Sequence, residues 1–225
     1  CVDALDADLG IAHDGDADRM LAVDETGTFV PGDLLLATFA REMAGAGDAV
    51  AAPVDTSLVV EDALAEVGAS LVHTRVGDVY VAERAKEESV VFGGEPSGAW
   101  IFPEETLCPD GPLAAVTLAA LVAEQPLSDR LDAFDPYPIR RTSVKTDHRA
   151  AVVEAVRETA HTIDGEVSEL DGVRLSREDG WFLVRASGTQ PLVRVTAEAR
   201  DDDTAVELFE EAQALVTDAV ADLGS

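Results

Sequence analysis

AVAAPVDTSLVVEDALAEVGASLVHTRVGDVYVAERAKEESVVFGG, residues 49–94, decides the fold class. Residues 49–54 are an almost unbroken apolar run of the length of a buried strand. Asp55 or Thr56 is placed to cap a helix running to about Val67, and Gly68 stands where a left-handed residue closes one. Residues 70–74 read as a second strand, 78–87 as a second helix and 89–92 as a third strand ending in Gly93-Gly94. Apolar strands separated by helices of about 10–15 residues are the pattern of βαβ crossovers, and they predict a mostly parallel α/β domain of three layers.

Outward from that stretch the alternation continues. Upstream, residues 9–12 form a short apolar strand that ends at Asp14, and residues 34–44 form a helix introduced by Pro31-Gly32-Asp33. Downstream, residues 110–124 make a long helix with Pro112 in its first turn. Pro126, Pro136 and Pro138 then punctuate an acidic stretch, which marks a domain boundary. Beyond it the pattern is that of a smaller α+β domain. A strand covers 137–145 and a helix 149–161; strands 173–177 and 181–185 flank Asp179-Gly180, a hairpin signal. A strand over 192–198 and a helix over 201–223, opened by three aspartates, complete it.

Composition narrows the partners. The 225 residues carry 45 Asp+Glu against 16 Lys+Arg, a net charge of −29, which repels nucleic acid and anionic membrane surfaces alike. With 47% hydrophobic residues the chain is too apolar for a disordered acidic tail. Its best apolar run, residues 113–123, falls short of the ~20 needed to span a bilayer. Cys1 and Cys108 show neither a disulfide framework nor CxxC spacing, which fits a reducing cytoplasm. Only Lys86 and Lys145 are lysines, and the acid excess is dispersed. That composition resembles proteins adapted to a high-salt cytoplasm, where a Debye length of ~3 Å at 1 M screens self-repulsion. No signal peptide is visible, and a start at Cys1 without methionine leads us to expect that a longer protein precedes it.

Three loops carry chemistry. Asp14-Gly15-Asp16-Ala17-Asp18-Arg19 places carboxylates at every second position, where Asp14, Asp16 and Asp18 can present oxygens to a hard cation such as Mg²⁺ while Gly15 permits the bend. A solvated acidic loop is the competing reading. Gly93-Gly94-Glu95-Pro96-Ser97-Gly98 follows a strand. Its glycines let a ligand approach, and Glu95 and Ser97 offer acceptors and a donor suited to vicinal sugar hydroxyls; an ordinary Gly/Pro turn is the alternative. Arg185-Ala186-Ser187-Gly188-Thr189-Gln190-Pro191, with Arg194 beyond, combines guanidinium forks, hydroxyls and a flexible backbone into an anion cradle. A plain β-turn is its alternative. Arg75-Val76-Gly77-Asp78 is a weaker fourth candidate at a strand-to-helix turn.

In this order and at these separations, the three loops resemble the metal-, sugar- and phosphate-binding loops of the α-D-phosphohexomutases, the family of phosphoglucomutase, phosphomannomutase and phosphoglucosamine mutase. The resemblance implies that residues 1–28 are the tail of a truncated α/β domain bearing the metal loop, 29–136 an α/β sugar-binding domain, and 137–225 an α+β phosphate-binding domain similar to the TATA-binding-protein fold. It implies Mg²⁺ on Asp14, Asp16 and Asp18, with Arg19 and Arg75 beside the reacting phosphoryl group. Glu95, Ser97 and Gly98 would hold the sugar, and Arg185, Ser187, Gly188, Thr189 and Arg194 the spectator phosphate. The implied reaction moves a phosphoryl group between the 1- and 6-positions of a hexose phosphate through a phosphoserine and a hexose bisphosphate.

The chain departs from the family pattern in three places. Its serine loop is absent, and Ser57, Ser89 and Ser143 lack that context. Ala99 stands where many members have histidine, and Gln190 where glutamate is frequent. His13 is read as packing against the metal loop or supporting its ligands rather than as a ligand itself, and Trp100 and Trp181 as core. The competing function is a non-catalytic sugar-phosphate-binding module; a metal-dependent phosphatase leaves two of the loops unexplained.

Overall fold

The structure is a computed structural model describing residues 2–223; Cys1 lies outside the described residues. The chain divides by its contacts into two units, Cys1–Pro136 and Tyr137–Ser225.

The first unit opens with a short helix α1 (Val2–Leu5) and an antiparallel pair, β1 (Gly10–His13) and β2 (Met20–Val23), with His13 opposite Met20. The aspartate loop is therefore the turn of a hairpin. Helix α2 (Gly32–Met43) follows, then β3 (Ala49–Pro53), α3 (Leu58–Val67), β4 (Ser70–Thr74), α4 (Asp78–Arg84), β5 (Val90–Gly94) and β6 (Trp100–Ile101). Ser57, rather than Asp55 or Thr56, caps α3 by accepting the Val59 N–H, and Gly68 ends that helix at φ 76°. The sheet order is β4-β3-β5-β6, parallel except for β6.

Because β4 and β5 lie on opposite sides of β3, the crossovers through α3 and α4 end on opposite faces of the sheet. This gives the three layers read from the sequence. An aromatic group of Phe39, Phe92, Trp100 and Phe102 packs α2 onto one face, with centroids 5.3–6.4 Å apart. Ala49, Ala51, Val81, Ala85, Val90 and Ile101 fill the other, under α4. Opposite Ala49/Val50, β5 carries an extra residue, Val91, so Val90 and Phe92 point to opposite faces despite their spacing of two. Helix α5 (Gly111–Glu124), capped by Asp110, and the short α6 (Leu127–Leu131), which the sequence did not reveal, close the unit. Buried Arg130 ties α6 to Glu42 of α2 at 2.7 Å and to the Leu121 carbonyl at the end of α5.

The second unit is a five-stranded antiparallel sheet in the order β7-β11-β10-β9-β8: β7 (Ile139–Lys145), β8 (Glu166–Ser168), β9 (Val173–Arg177), β10 (Gly180–Ala186) and β11 (Leu192–Ala199). Helices α7 (Arg149–Ala160) and α8 (Asp202–Leu223) pack on one face against Val173, Leu175, Phe182, Val184, Val193 and Val195. On the opposite face the buried Trp181 indole donates to Glu198 at 3.0 Å and lies 4.7 Å from the Arg174 guanidinium. Both tryptophans are fully buried, as their core assignment required. The β9–β10 turn is Glu178-Asp179, since Arg177 pairs with Gly180. Gly180 serves close packing instead: a Cβ there would lie 2.6 Å from the Glu198 carbonyl oxygen. Among the described residues no helix is long and apolar enough to cross a membrane.

Candidate functional site

Parallel strands all end at one edge, so the loops after β3, β4 and β5 lie together there. Glu95 belongs to the hairpin joining β5 to β6, closed by Glu95 N–H to Ala99 O and Gly98 N–H to Glu95 O, both 2.9 Å. Its carboxylate is buried. Oε1 accepts the Gly77 N–H at 2.7 Å from the loop after β4, and Oε2 the Ser97 hydroxyl at 3.3 Å. Burial pushes the Glu95 carboxyl above its ordinary value. The hydrogen bonds from Gly77 and Ser97 offset part of that, while the charges of Asp55 and Asp78 add to it. Gly77 adopts φ 132°, a conformation only glycine takes readily, so it is the residue through which β4 orients Glu95. Sequence reading gave Gly77 no such role. Arg75, in the same loop as Gly77, lies with its guanidinium 5.6 Å from the Tyr80 ring centroid.

The aspartate loop is seated against this hairpin. Met20 N–H donates to Gly98 O at 2.9 Å, Arg19 and Ala99 form a β-bridge, and the Trp100 indole donates to Met20 O at 2.8 Å. Gly98, at φ 100°, comes so close that a Cβ would lie 2.9 Å from the Met20 oxygen. From the other side Gly111, at the start of α5, abuts the loop; a Cβ there would meet Ala17 O at 2.5 Å and Arg19 O at 2.8 Å. His13 completes the seat, its Nδ1 2.8 Å from Arg19 O.

Within the loop the residue in the left-handed region is Ala17, at φ 61°, and not Gly15, which the sequence had marked for the bend. An alanine held there is strained, and such strain persists where the surroundings impose it. One oxygen from each of Asp14, Asp16 and Asp18 lies within 4.8 Å of the others, the one such group of potential metal ligands among the described residues. Burial raises the Asp14 carboxyl, but side-chain and backbone hydrogen bonds from Arg19, including Nε to Oδ2 at 2.8 Å, outweigh it and hold the group below its ordinary value. Asp18 is pushed up by burial and then by the charges of Asp16 and Asp14. Asp18 Oδ1 is buried with no hydrogen-bond partner. A buried carboxylate oxygen with no hydrogen bond, 3.7 Å from Arg19 Nε and among converging like charges, belongs to a donor set that fits a hard divalent cation.

In the second unit, residues 187–191 form the β10–β11 hairpin loop. Ser187 N–H donates to Leu192 O at 2.9 Å, and the buried Ser187 hydroxyl accepts the Gln190 N–H at 3.3 Å. Gly188 and Thr189 are exposed at the tip, and Arg185 and Arg194 stand directly opposite each other at its base. Arg149, which the sequence reading passed over, donates from the first turn of α7 to Gln190 O at 2.7 Å.

Against known proteins, residues 31–137 match the family model described as phosphoglucomutase/phosphomannomutase, alpha/beta/alpha domain III, and residues 140–215 that of the phosphoglucomutase/phosphomannomutase C-terminal domain. A probable phosphoglucosamine mutase of Methanococcoides burtonii is 46% identical over 216 residues, covering 95% of this chain and 49% of that protein. The structure of a phosphoglucomutase/phosphomannomutase family protein from Burkholderia thailandensis superposes with a TM-score of 0.83 at 25% identity, over 97% of this chain and 48% of the other. An Aspergillus fumigatus N-acetylphosphoglucosamine mutase, solved with GlcNAc-6P and magnesium, shares the fold at a TM-score of 0.67 and 18% identity, over 93% and 48%. This chain spans about half the length of the relatives it matches. It belongs to the phosphoglucomutase/phosphomannomutase family, of which it carries the C-terminal portion.

Proposed function

We propose that this chain supplies the metal, sugar and phosphate loops of a phosphohexomutase that interconverts the 1- and 6-phosphates of a hexose, with glucosamine phosphate as its substrate. The observation that carries the reading is the direct seating of the aspartate loop on the Glu95 hairpin through the Met20–Gly98 hydrogen bond and the Arg19–Ala99 bridge. A cation cage and a hydroxyl-binding loop held side by side suit a phosphorylated sugar. The names of the relatives, and the ligands of the Aspergillus structure, support the substrate class and magnesium.

Residues 1–28 then carry the metal loop as the end of a preceding domain, 29–136 bind the sugar, and 137–225 hold the spectator phosphate. Asp14, Asp16 and Asp18 hold Mg²⁺, which when bound neutralises charge on the phosphoryl group in transfer. Arg19, oriented by Asp14, and Arg75 donate to that group. Glu95 accepts from sugar hydroxyls with a carboxylate already oriented by Gly77, Ser97 adds a hydroxyl, and Gly98 lets the ligand approach the backbone. Arg185, Ser187, Gly188, Thr189 and Arg194 bind the non-reacting phosphate. The phosphoserine comes from outside these residues, and the enzyme works in the cytoplasm.

The test assays the complete protein with glucosamine, mannose and glucose phosphates side by side, with Mg²⁺ and a catalytic amount of bisphosphate. Interconversion of the amino sugar phosphate, lost in EDTA and in Asp16→Asn, is expected. Full activity in EDTA sinks the metal role. Binding of the sugar phosphates without turnover of any would favour a non-catalytic module.

A further inference from the structure

Arg185 is held before any ligand arrives. Its Nη1 donates to Asp171 Oδ2 at 3.2 Å, and the two side chains are only 19% and 25% exposed. Asp171 reaches it because Gly172 follows. Gly172 has φ 90°, and a Cβ there would lie 2.4 Å from Val184 O and 3.0 Å from Arg185 Cα, so the chain entering β9 can pass this close to β10 only with glycine.

Two neighbouring features give the contact a task. Arg194 sits opposite Arg185 across the β10–β11 pair, and like charges so placed repel. Asp171 supplies a counter-charge. Beside it opens a cavity of 310 Å³ lined by Glu154, Arg157, Glu169, Asp171 and Arg185. Glu154 and Glu169 already hold Arg157 there, and Glu169 also pairs with His161 at 2.7 Å, which leaves Glu154 as the carboxylate that offers a released Arg185 guanidinium an alternative resting place.

We propose that Asp171 is a positioning residue, which fixes the Arg185 fork at the 187–191 loop for a phosphate monoester. The inference rests on the reading of that loop as the phosphate cradle. Simple electrostatics argues the reverse: deleting a carboxylate beside an anion site should tighten anion binding. The sign of the effect is therefore diagnostic.

The experiment titrates this chain with inorganic phosphate by calorimetry at fixed pH and ionic strength. Asp171→Asn is expected to weaken binding about five- to tenfold, within the coupling range of contacting residues. Asp171→Glu, which keeps the charge but displaces it by one methylene, should weaken it about two- to threefold at an unchanged melting temperature. In an Arg185→Ala background, Asp171→Asn should change nothing further. Tighter binding in Asp171→Asn, or the same loss with and without Arg185, overturns the positioning role. If Asp171→Asn does not fold, unaltered binding by Asp171→Glu overturns it instead. Indifference of binding to Arg185→Ala, or no phosphate binding by the unaltered chain, would strike the cradle reading itself.

Discussion

Gly32→Ala sets two physical effects against each other. Gly32 is the first residue of α2, and replacing glycine by alanine in a helix gains at most about 1 kcal/mol in propensity. A Cβ at this position, however, would lie 1.8 Å from Pro96 O, 2.6 Å from its carbonyl carbon and 2.9 Å from its Cα. These are backbone atoms, which cannot rotate aside. To restore ordinary contact distances, the Pro96 peptide or the start of α2 must move by about 1.5 Å, and overpacking of that kind costs roughly 1–3 kcal/mol. The net expectation is a loss of about 1–2 kcal/mol, or several degrees in Tm. Pro96 adjoins Glu95, whose 2.7 Å hydrogen bond to Gly77 sets the carboxylate. A shift of that size breaks the bond, so KM for the hexose phosphate should rise about tenfold in the complete protein while kcat changes less. Urea unfolding followed by tryptophan fluorescence reads the stability, since Trp100 lies just beyond the hairpin and is fully buried. A Gly32→Ala variant at least as stable as the parent, with unaltered KM, would refute the steric argument and leave helix propensity as the governing effect.

Gly111→Ala should lower Mg²⁺ affinity about tenfold, read by calorimetry, because its Cβ would displace the Ala17 and Arg19 carbonyls under the three aspartates, and contacts behind metal ligands carry that order of effect. Glu95 is held above its ordinary value of 4.5, so the folded chain binds its proton more tightly than the unfolded one, and this group lowers stability as pH rises above 4.5. Glu95→Gln should therefore gain stability relative to the parent as pH climbs from 4.5, levelling off once Glu95 is ionised in the folded chain; parallel pH profiles would contradict the burial argument. With a net charge of −29, Tm should rise by about 5 °C or more between 0.1 and 1 M KCl as the Debye length contracts, and a flat or falling Tm would remove the reading of the acid excess as a high-salt adaptation.

The layered architecture was legible because its signals are local. The apolar runs of β3, β4 and β5, the glycine after α3 and the proline in the first turn of α5 each act within a few residues of themselves. Shorter elements were not legible. Strand β6 has two residues and exists because Gly93 and Gly94 pair with it, and α6 is held by Arg130 reaching back to Glu42. The Val91 bulge defeats an alternation count, because a single unpaired residue changes which face every later side chain takes. Asp179-Gly180 carried the composition of a turn, yet Gly180 is a strand residue whose missing Cβ makes room for the Glu198 carbonyl.

For the proposed site, residue type alone nominated Asp14, Asp16 and Asp18, Glu95 and Ser97, and Arg185 to Thr189 as candidates, since cations, hydroxyls and anions each demand a particular donor set. Where those groups are held, and by what, is a matter of contacts between distant segments. Gly77 aims Glu95 from 18 residues away, and Gly111 makes room for a loop that lies more than ninety positions earlier. Ala17 takes the strained turn that composition would have given to Gly15. No periodicity or spacing records a missing Cβ's neighbours or a hydrogen bond between loops, because both come into being only when segments distant in the chain pack together.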